Sequence, residues 1–286
     1  MSSHQAPRKL WWAPNTPIQY TEVNGVKIRH VEVGQGPNLV LLHTLRTHLD
    51  IFHNVVPRLS EFFTIHAMDY PGHGYSDIPR TNYTPEFFAD SVEAFLAVRK
   101  IEDAKVAGVS IGGSIALMLA ARNNPRLNRV IAINPCDYKG GGVGRGNLIA
   151  NAVFTSFKIP LLGKITMLLN NRFVERKVFD GGVAQPASMS KEFSDQVFSI
   201  GTRPGYATAF LNLVKHVNLW NEIKENYANI NIPTLLVYGE QDWSSASERA
   251  KTAKMIPSVK VEHIQNGGHF LVIDQPEEVI RIIDSF

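Results

Sequence analysis

The sequence predicts an α/β protein: a mostly parallel sheet with helices on both faces, interrupted by an inserted helical cap. Three observations carry this. Short β-branched runs alternate with helical patterns over most of the chain. Several of those runs are apolar throughout, as strands buried on both faces are. The alternation stops between Asp137 and about Ile230, where no strand pattern is visible.

In chain order the strand runs are Val26 to Val33, Asn38 to His43, Phe63 to Met68, Lys105 to Val109, Val130 to Ile133, Thr234 to Tyr238 and Val259 to Ile264. Gly34-Gln35-Gly36, between the first two, reads as a hairpin connection. Thr47-His48-Leu49-Asp50 reads as a capping box ahead of a helical stripe, Ile51, Phe52, Val55, Val56 and Leu59. Thr84-Pro85 predicts a helix start with proline at its first position. Ser245-Ala246-Ser247-Glu248 is a second capping box, and Pro276 opens a last helix with Val279, Ile280, Ile282 and Ile283 toward the core.

These patterns divide the chain into a tail (1–17), a body in two pieces (18–136 and 231–286) and a cap (137–230). The cap opens on Gly140, Gly141, Gly142, Gly144 and Gly146, read as a flexible hinge. It holds 11 Lys+Arg and 7 Asp+Glu, so +4 of its own against +3 for the whole chain. Its first half is rich in apolar residues, among them Phe154, Phe157, Ile159, Leu161, Leu162, Ile165, Leu168 and Leu169. At helical spacing these are expected to pack the cap onto the body, with some lining a lipophilic pocket.

Composition sets limits. Hydrophobic residues make up 44% and charged ones 19%, which excludes intrinsic disorder as the main state. A net charge of +3 without a basic run points away from nucleic acid. The single cysteine, Cys136, excludes an intrachain disulfide; it falls where body passes into cap and is given no part in the chemistry. No stretch approaches the ~20 apolar residues of a membrane-spanning helix, and the first residues lack a signal peptide's apolar run. A soluble, cytoplasmic protein is expected.

The chemistry centres on Gly108-Val109-Ser110-Ile111-Gly112. An apolar strand runs into it and a helical run, Ile115 to Ala120, follows. Strand, sharp turn and helix form the setting in which a serine is held strained and exposed at a helix N-terminus, as a nucleophile requires. A serine hydroxyl needs a base, and the base an orienting acid. His269, in a glycine-bearing loop after the last strand, is the candidate base. Asp242, past the end of the strand Thr234 to Tyr238, is the candidate acid. Asp137, past the strand Val130 to Ile133, is the alternative, and Glu240 is read as a solvated turn residue. His43 is read as structural and His73 as part of a tight turn within Asp69 to Asp77. No Cys/His cluster has zinc spacing, and Gly140 to Gly146 lacks a phosphate loop's lysine, so no metal or organic cofactor is expected.

The order Ser110, Asp242, His269 resembles that of the α/β-hydrolase superfamily, and the likeness runs from about Ile18 to Phe286. Besides the serine turn it rests on Asp69 to Asp77, Gly239-Glu240-Gln241-Asp242, and Gly268-His269-Phe270 leading to Gln275-Pro276-Glu277. It is similar to the branch with a helical cap after the sixth strand, which includes esterases, epoxide hydrolases, haloalkane dehalogenases and carbon–carbon bond hydrolases. The resemblance implies eight strands. A serine at the elbow departs from the aspartate of epoxide hydrolases and dehalogenases, and implies acyl transfer on an ester, thioester, lactone or activated ketone; the apolar cap points to a small, lipophilic ester substrate. It further implies that the backbone N–H groups of Leu45 and Ile111 form the oxyanion hole. The usual His-Gly before that hole is His43-Thr44 here, so the added Cβ is expected to strain Thr44 if its φ is positive. Arg46 is expected at the surface or in a structural role, with a substrate carboxylate as its other possible partner. Rival functions are a carbon–carbon bond hydrolase or acyltransferase on the same residues, and a ligand-binding receptor that keeps the fold.

Overall fold

The computed structural model describes residues 7–142 and 145–286. Residues 1–6 of the expected tail, and Gly144 of the glycine run, lie outside the described residues. Eight strands form one sheet: β1 (Ile18–Val23), β2 (Val26–Val33), β3 (Asn38–Leu42), β4 (Thr64–Met68), β5 (Ala104–Val109), β6 (Leu127–Ile133), β7 (Thr234–Gly239) and β8 (Lys260–Ile264). Their order is β1-β2-β4-β3-β5-β6-β7-β8, and from β4 onward every pairing is parallel.

The body carries α1 (Val56–Leu59), α2 (Pro85–Arg99) and α3 (Ile111–Ala121). Among the described residues, six α-helices lie between β6 and β7: α4 (Leu148–Ser156), α5 (Pro160–Leu169), α6 (Arg172–Asp180), α7 (Lys191–Gly201), α8 (Tyr206–Lys215) and α9 (Leu219–Glu222). The chain closes with α10 (Ala246–Met255), α11 (Leu271–Asp274) and α12 (Pro276–Ser285). The alternation read from the sequence is therefore that of the sheet, and the described residues between β6 and β7 form helices and no strand.

Two local expectations fail. Gly34 to Gly36 does not close a hairpin. β2 pairs antiparallel with β1 and β4 (Val31 opposite Ala67), and β3 lies beyond β4. The tight turn is Asn24-Gly25, both with positive φ, as a two-residue hairpin needs. Gly34 and Gly36 instead let the chain pass against the backbone of Ser60 to Phe63; a Cβ on either would sit 2.2 Å from a carbonyl oxygen. β1 itself escaped the reading because it lies at the edge, half-exposed and polar.

Thr47-His48-Leu49-Asp50 is not a capping box. Thr47 Oγ1 donates to the Thr44 carbonyl at 2.8 Å, His48 caps a short 3-10 turn (Leu49–Phe52), and no continuous helix runs to Leu59. Asp50 is drawn away by Arg29, whose Nη1 donates to it at 2.8 Å with no solvent exposure on either side chain. A buried guanidinium outweighs a local cap, because an unpaired buried charge costs several kcal/mol. The other signals stand: Thr84 caps α2, Ser245 and Glu248 form a complete capping box on α10, and Pro276 opens α12.

Two cores flank the sheet. One joins α2, α3 and the sheet; Trp220, Ile223 and Tyr227, at the end of the insertion, belong to it. The other joins the opposite face to α1, α11 and α12. Leu10 is fully buried there, Trp11 and Trp12 pack beside it, and Trp12 Nε1 donates to Asp50 at 2.8 Å. The described part of the tail is thus packed on the body. No helix among the described residues is long and apolar enough to cross a membrane.

Candidate active site

β5 ends at Val109 and α3 starts at Ile111, so the turn between them consists of Ser110 alone. Ser110 has φ 56° and ψ −116°, outside the regions ordinary residues favour. The glycines on either side make this turn possible. A Cβ on Gly108 would lie 2.2 Å from the Gly112 backbone, and one on Gly112 would lie 2.2 Å from the Leu42 carbonyl oxygen. Any larger residue would push α3 off β3 and β5.

The structure brings the three candidate residues together. Ser110 Oγ lies 2.8 Å from His269 Nε2, and His269 Nδ1 lies 2.5 Å from Asp242 Oδ1. With Nδ1–H donating to the carboxylate, Nε2 is left to accept from the serine. All three are buried. Asp242 is held by more than the histidine. The Ser244 N–H donates to its Oδ2 at 2.9 Å, and the Ser244 hydroxyl donates to the same oxygen. Burial pushes this carboxyl's pKa up, but His269 and the Ser244 bonds outweigh it and leave the pKa below the usual value.

Asp137 sits elsewhere. Its carboxylate accepts from Thr252 Oγ1 at 3.1 and 3.2 Å, on the α10 side. Burial is the main cause pushing its pKa up to about 6. His43 is wholly buried, with burial lowering its pKa far below the ordinary value. Nδ1 bonds the Thr44 carbonyl at 2.9 Å and Nε2 accepts from the Tyr70 N–H at 3.2 Å, so the neutral ring joins two loops. His73 lies in the turn after β4. Glu240, beyond β7, is exposed.

The loop after β3 departs from expectation. Thr44 does not carry the positive φ; Arg46 does, at 61°. The turn Thr44 to Thr47, closed by the Thr47 N–H to the Thr44 carbonyl at 3.2 Å, moves the strain two residues along. Leu45 and Ile111 line the same cavity as Ser110. Ile111 opens α3, so its N–H has no intrahelical acceptor, and the Leu45 N–H has no partner among the described residues. Arg46 is buried rather than solvated. It pairs with Glu175 of α6, and its guanidinium lies 5.0 Å from the Phe210 ring centre.

The cavity over Ser110 holds about 40 Å³ and is lined mainly by Leu45, Phe154, Val178, Phe179, Trp243 and Phe270. Of the apolar residues in the first half of the insertion, Phe154 lines it and Phe157 is buried in the insertion's own core. Most of the others point to solvent, against the expectation that they pack on the body. Cys136 also faces the cavity, its thiol pKa pushed up to about 12 chiefly by burial.

Sequence reasoning passed over two contributors. Trp243 stacks on His269 at a centroid distance of 3.9 Å, and its Nε1 donates to the Gly181 carbonyl at 2.9 Å. Its position directly after Asp242 was a usable signal. Asn134, at the end of β6, donates to the Gly268 and His269 carbonyls at 3.0 Å each and accepts from the Gly239 N–H. Nothing in its local sequence marks it. No group of three or more potential metal ligands occurs among the described residues.

An eight-stranded sheet in this order, with a serine turn after β5 and helices inserted after β6, defines the α/β-hydrolase architecture. The chain belongs to the alpha/beta hydrolase fold family, whose model matches residues 37–276. A pimeloyl-(acyl-carrier protein) methyl ester esterase of Aeromonas hydrophila is 27% identical over 263 residues, covering 88% of this chain and 96% of that one. The 2-(acetamidomethylene)succinate hydrolase of Mesorhizobium japonicum is 23% identical over 269 residues, 93% of each. The crystal structure of Cfl2 from Burkholderia cenocepacia superposes with a TM-score of 0.85 at 22% identity, over 99% of both chains.

Proposed function

We propose that the protein is a serine hydrolase that cleaves a small carboxylic ester through an acyl-enzyme, with Ser110 as nucleophile, His269 as base and Asp242 as the orienting acid. The observation that carries this reading is the continuous hydrogen-bonded line from Ser110 Oγ through both nitrogens of His269 to Asp242. His269 Nε2 takes the Ser110 proton as Oγ adds to the ester carbonyl. The N–H groups of Leu45 and Ile111 hold the resulting oxyanion, and Asp242 stabilises the imidazolium. His269 then protonates the departing alcohol. Water, deprotonated by the same nitrogen, attacks the acyl-enzyme and releases the acid.

The lining of Phe154, Val178, Phe179 and Phe270 favours an apolar acyl or alcohol group. The methyl ester esterase among the relatives supports ester chemistry.

A fluorophosphonate probe followed by peptide mapping tests the reading. Label is expected on Ser110, with both labelling and p-nitrophenyl ester turnover lost in Ser110→Ala. Esterase activity that survives Ser110→Ala removes the proposal. Hydrolysis of β-diketones in preference to every ester in the panel would instead assign carbon–carbon bond cleavage to the same residues.

A further inference from the structure

We infer that the outer face of the insertion, centred on α5, docks on an anionic lipid bilayer surface. The apolar surface of this protein is unevenly placed. Thirteen large hydrophobic residues are exposed among the described ones, and nine of them fall between Leu148 and Phe173. Leu148, Leu161, Leu168 and Leu169 are each more than 70% exposed. A soluble surface scatters such residues singly; a contiguous group marks an interaction site.

The helix geometry shows that this face points outward. α5 meets the rest of the protein through Gly163 and Met167, four residues apart: a Cβ on Gly163 would touch Phe157 and Leu211, and Met167 packs on the core of the insertion. Leu161, Ile165, Leu168 and Leu169 occupy the other side of the helix, facing solvent. The usual polarity of a surface helix is inverted, with its small residue inside and its leucines outside.

Charge identifies the occupant. Residues 138–174 contain Lys139, Arg145, Lys158, Lys164 and Arg172 and no Asp or Glu. Lys158 and Lys164 join Lys215 of α8 along a surface cavity of about 460 Å³ beside α5. None of these three lysines forms an ion pair among the described residues. Apolar side chains flanked by uncompensated lysines match a bilayer interface carrying anionic headgroups. A second copy of the chain fits poorly, because a two-fold contact would set these lysines against their own copies. At ten residues α5 is about 15 Å long, too short to span a bilayer, so it lies in the interface plane. α4 links this face to the cavity: Leu148 and Ile149 are exposed, and Phe154 on the same helix lines the space over Ser110.

Vesicle flotation with the whole chain tests this without using turnover, so it stands or falls separately from the ester reading. Binding to vesicles with about 30% phosphatidylglycerol is expected to exceed binding to pure phosphatidylcholine at least tenfold at about 0.1 M salt, and to weaken at about 0.5 M. Leu161→Ser with Leu168→Ser should lose binding, and Lys158→Glu with Lys164→Glu should lose the anionic preference. Unchanged thermal melts would show that the solvent-facing variants remain folded. No flotation with anionic vesicles, or equal binding to both compositions, overturns the inference. So does a dimer by sedimentation that Leu161→Ser with Leu168→Ser dissolves while vesicles stay unbound, which would assign the face to a second copy.

Discussion

The indole of Trp243 lies flat on the imidazole of His269, 3.9 Å between centroids with the planes 15° apart. The indole N–H is anchored to the Gly181 carbonyl, past the end of α6. The candidate base is thus held in plane by Asp242 and from its face by a residue tied to the insertion. Trp243→Ala is expected to lower kcat on esters about 10–100-fold, as a misplaced imidazole would. Trp243→Phe, which keeps the stacking face and loses the anchor, should retain most of the rate. Equal loss in both variants would assign the effect to the hydrogen bond.

The two aspartates beyond neighbouring strands separate the roles. Asp242 meets Nδ1 of His269, and Asp137 meets Thr252. Asp242→Asn should reduce kcat on the order of 10⁴-fold, since the amide favours the wrong tautomer. Asp137→Asn should cost less than about tenfold, because it touches no group in the proton path. Steady-state kinetics on a p-nitrophenyl ester reads both, and the reverse ranking moves the acid to the end of β6.

Asp137 has its own signature in stability. Burial raises its pKa to about 6, so the folded chain keeps a proton that the unfolded chain releases between roughly pH 4 and 6. The folded state binds more protons in that window, so this group's contribution to stability declines as pH rises through it. Asp137→Asn abolishes the decline. The variant should gain about 1–3 kcal/mol over the parent at pH 7.5 and gain little at pH 4, by urea unfolding. A difference that does not vary with pH would contradict this.

Arg46 and Glu175 tie the loop bearing the Leu45 N–H to α6 with a buried ion pair. The Glu175 carboxylate also accepts from Asn170 at 2.5 Å. Glu175→Ala leaves the guanidinium buried and unpaired, and should destabilise by about 3–5 kcal/mol. Replacing both, with Arg46→Met and Glu175→Leu, should recover most of that loss. A double-mutant cycle in urea measures the coupling, and additive losses would show that the pair acts as two independent contacts.

Most of the sheet and all three members of the Ser110–His269–Asp242 line were legible in the sequence, for local reasons. Doubly buried strands must be continuously apolar, a nucleophile turn needs glycine at its close approaches, and caps such as Ser245 with Glu248 act within one turn. Edge pairing was not legible. Whether β2 pairs with β3 or β4 depends on which strand the sheet places beside it, and Gly34 to Gly36 suits either path. The capping signal at Thr47 misled because Asp50 is claimed by Arg29, 21 residues away in sequence.

By itself, then, the sequence determined the α/β alternation, the helical middle and the candidate nucleophile and base, with two aspartates for the acid, because each is written in the pattern of its own segment. Tertiary structure alone decided which aspartate meets His269, that Arg46 is buried against Glu175, and that Trp243 stacks on the imidazole. It also turned the leucines of α5 to solvent. Helical spacing shows that those residues share a face, but only the packing of Gly163 and Met167 on neighbouring helices decides which way that face points.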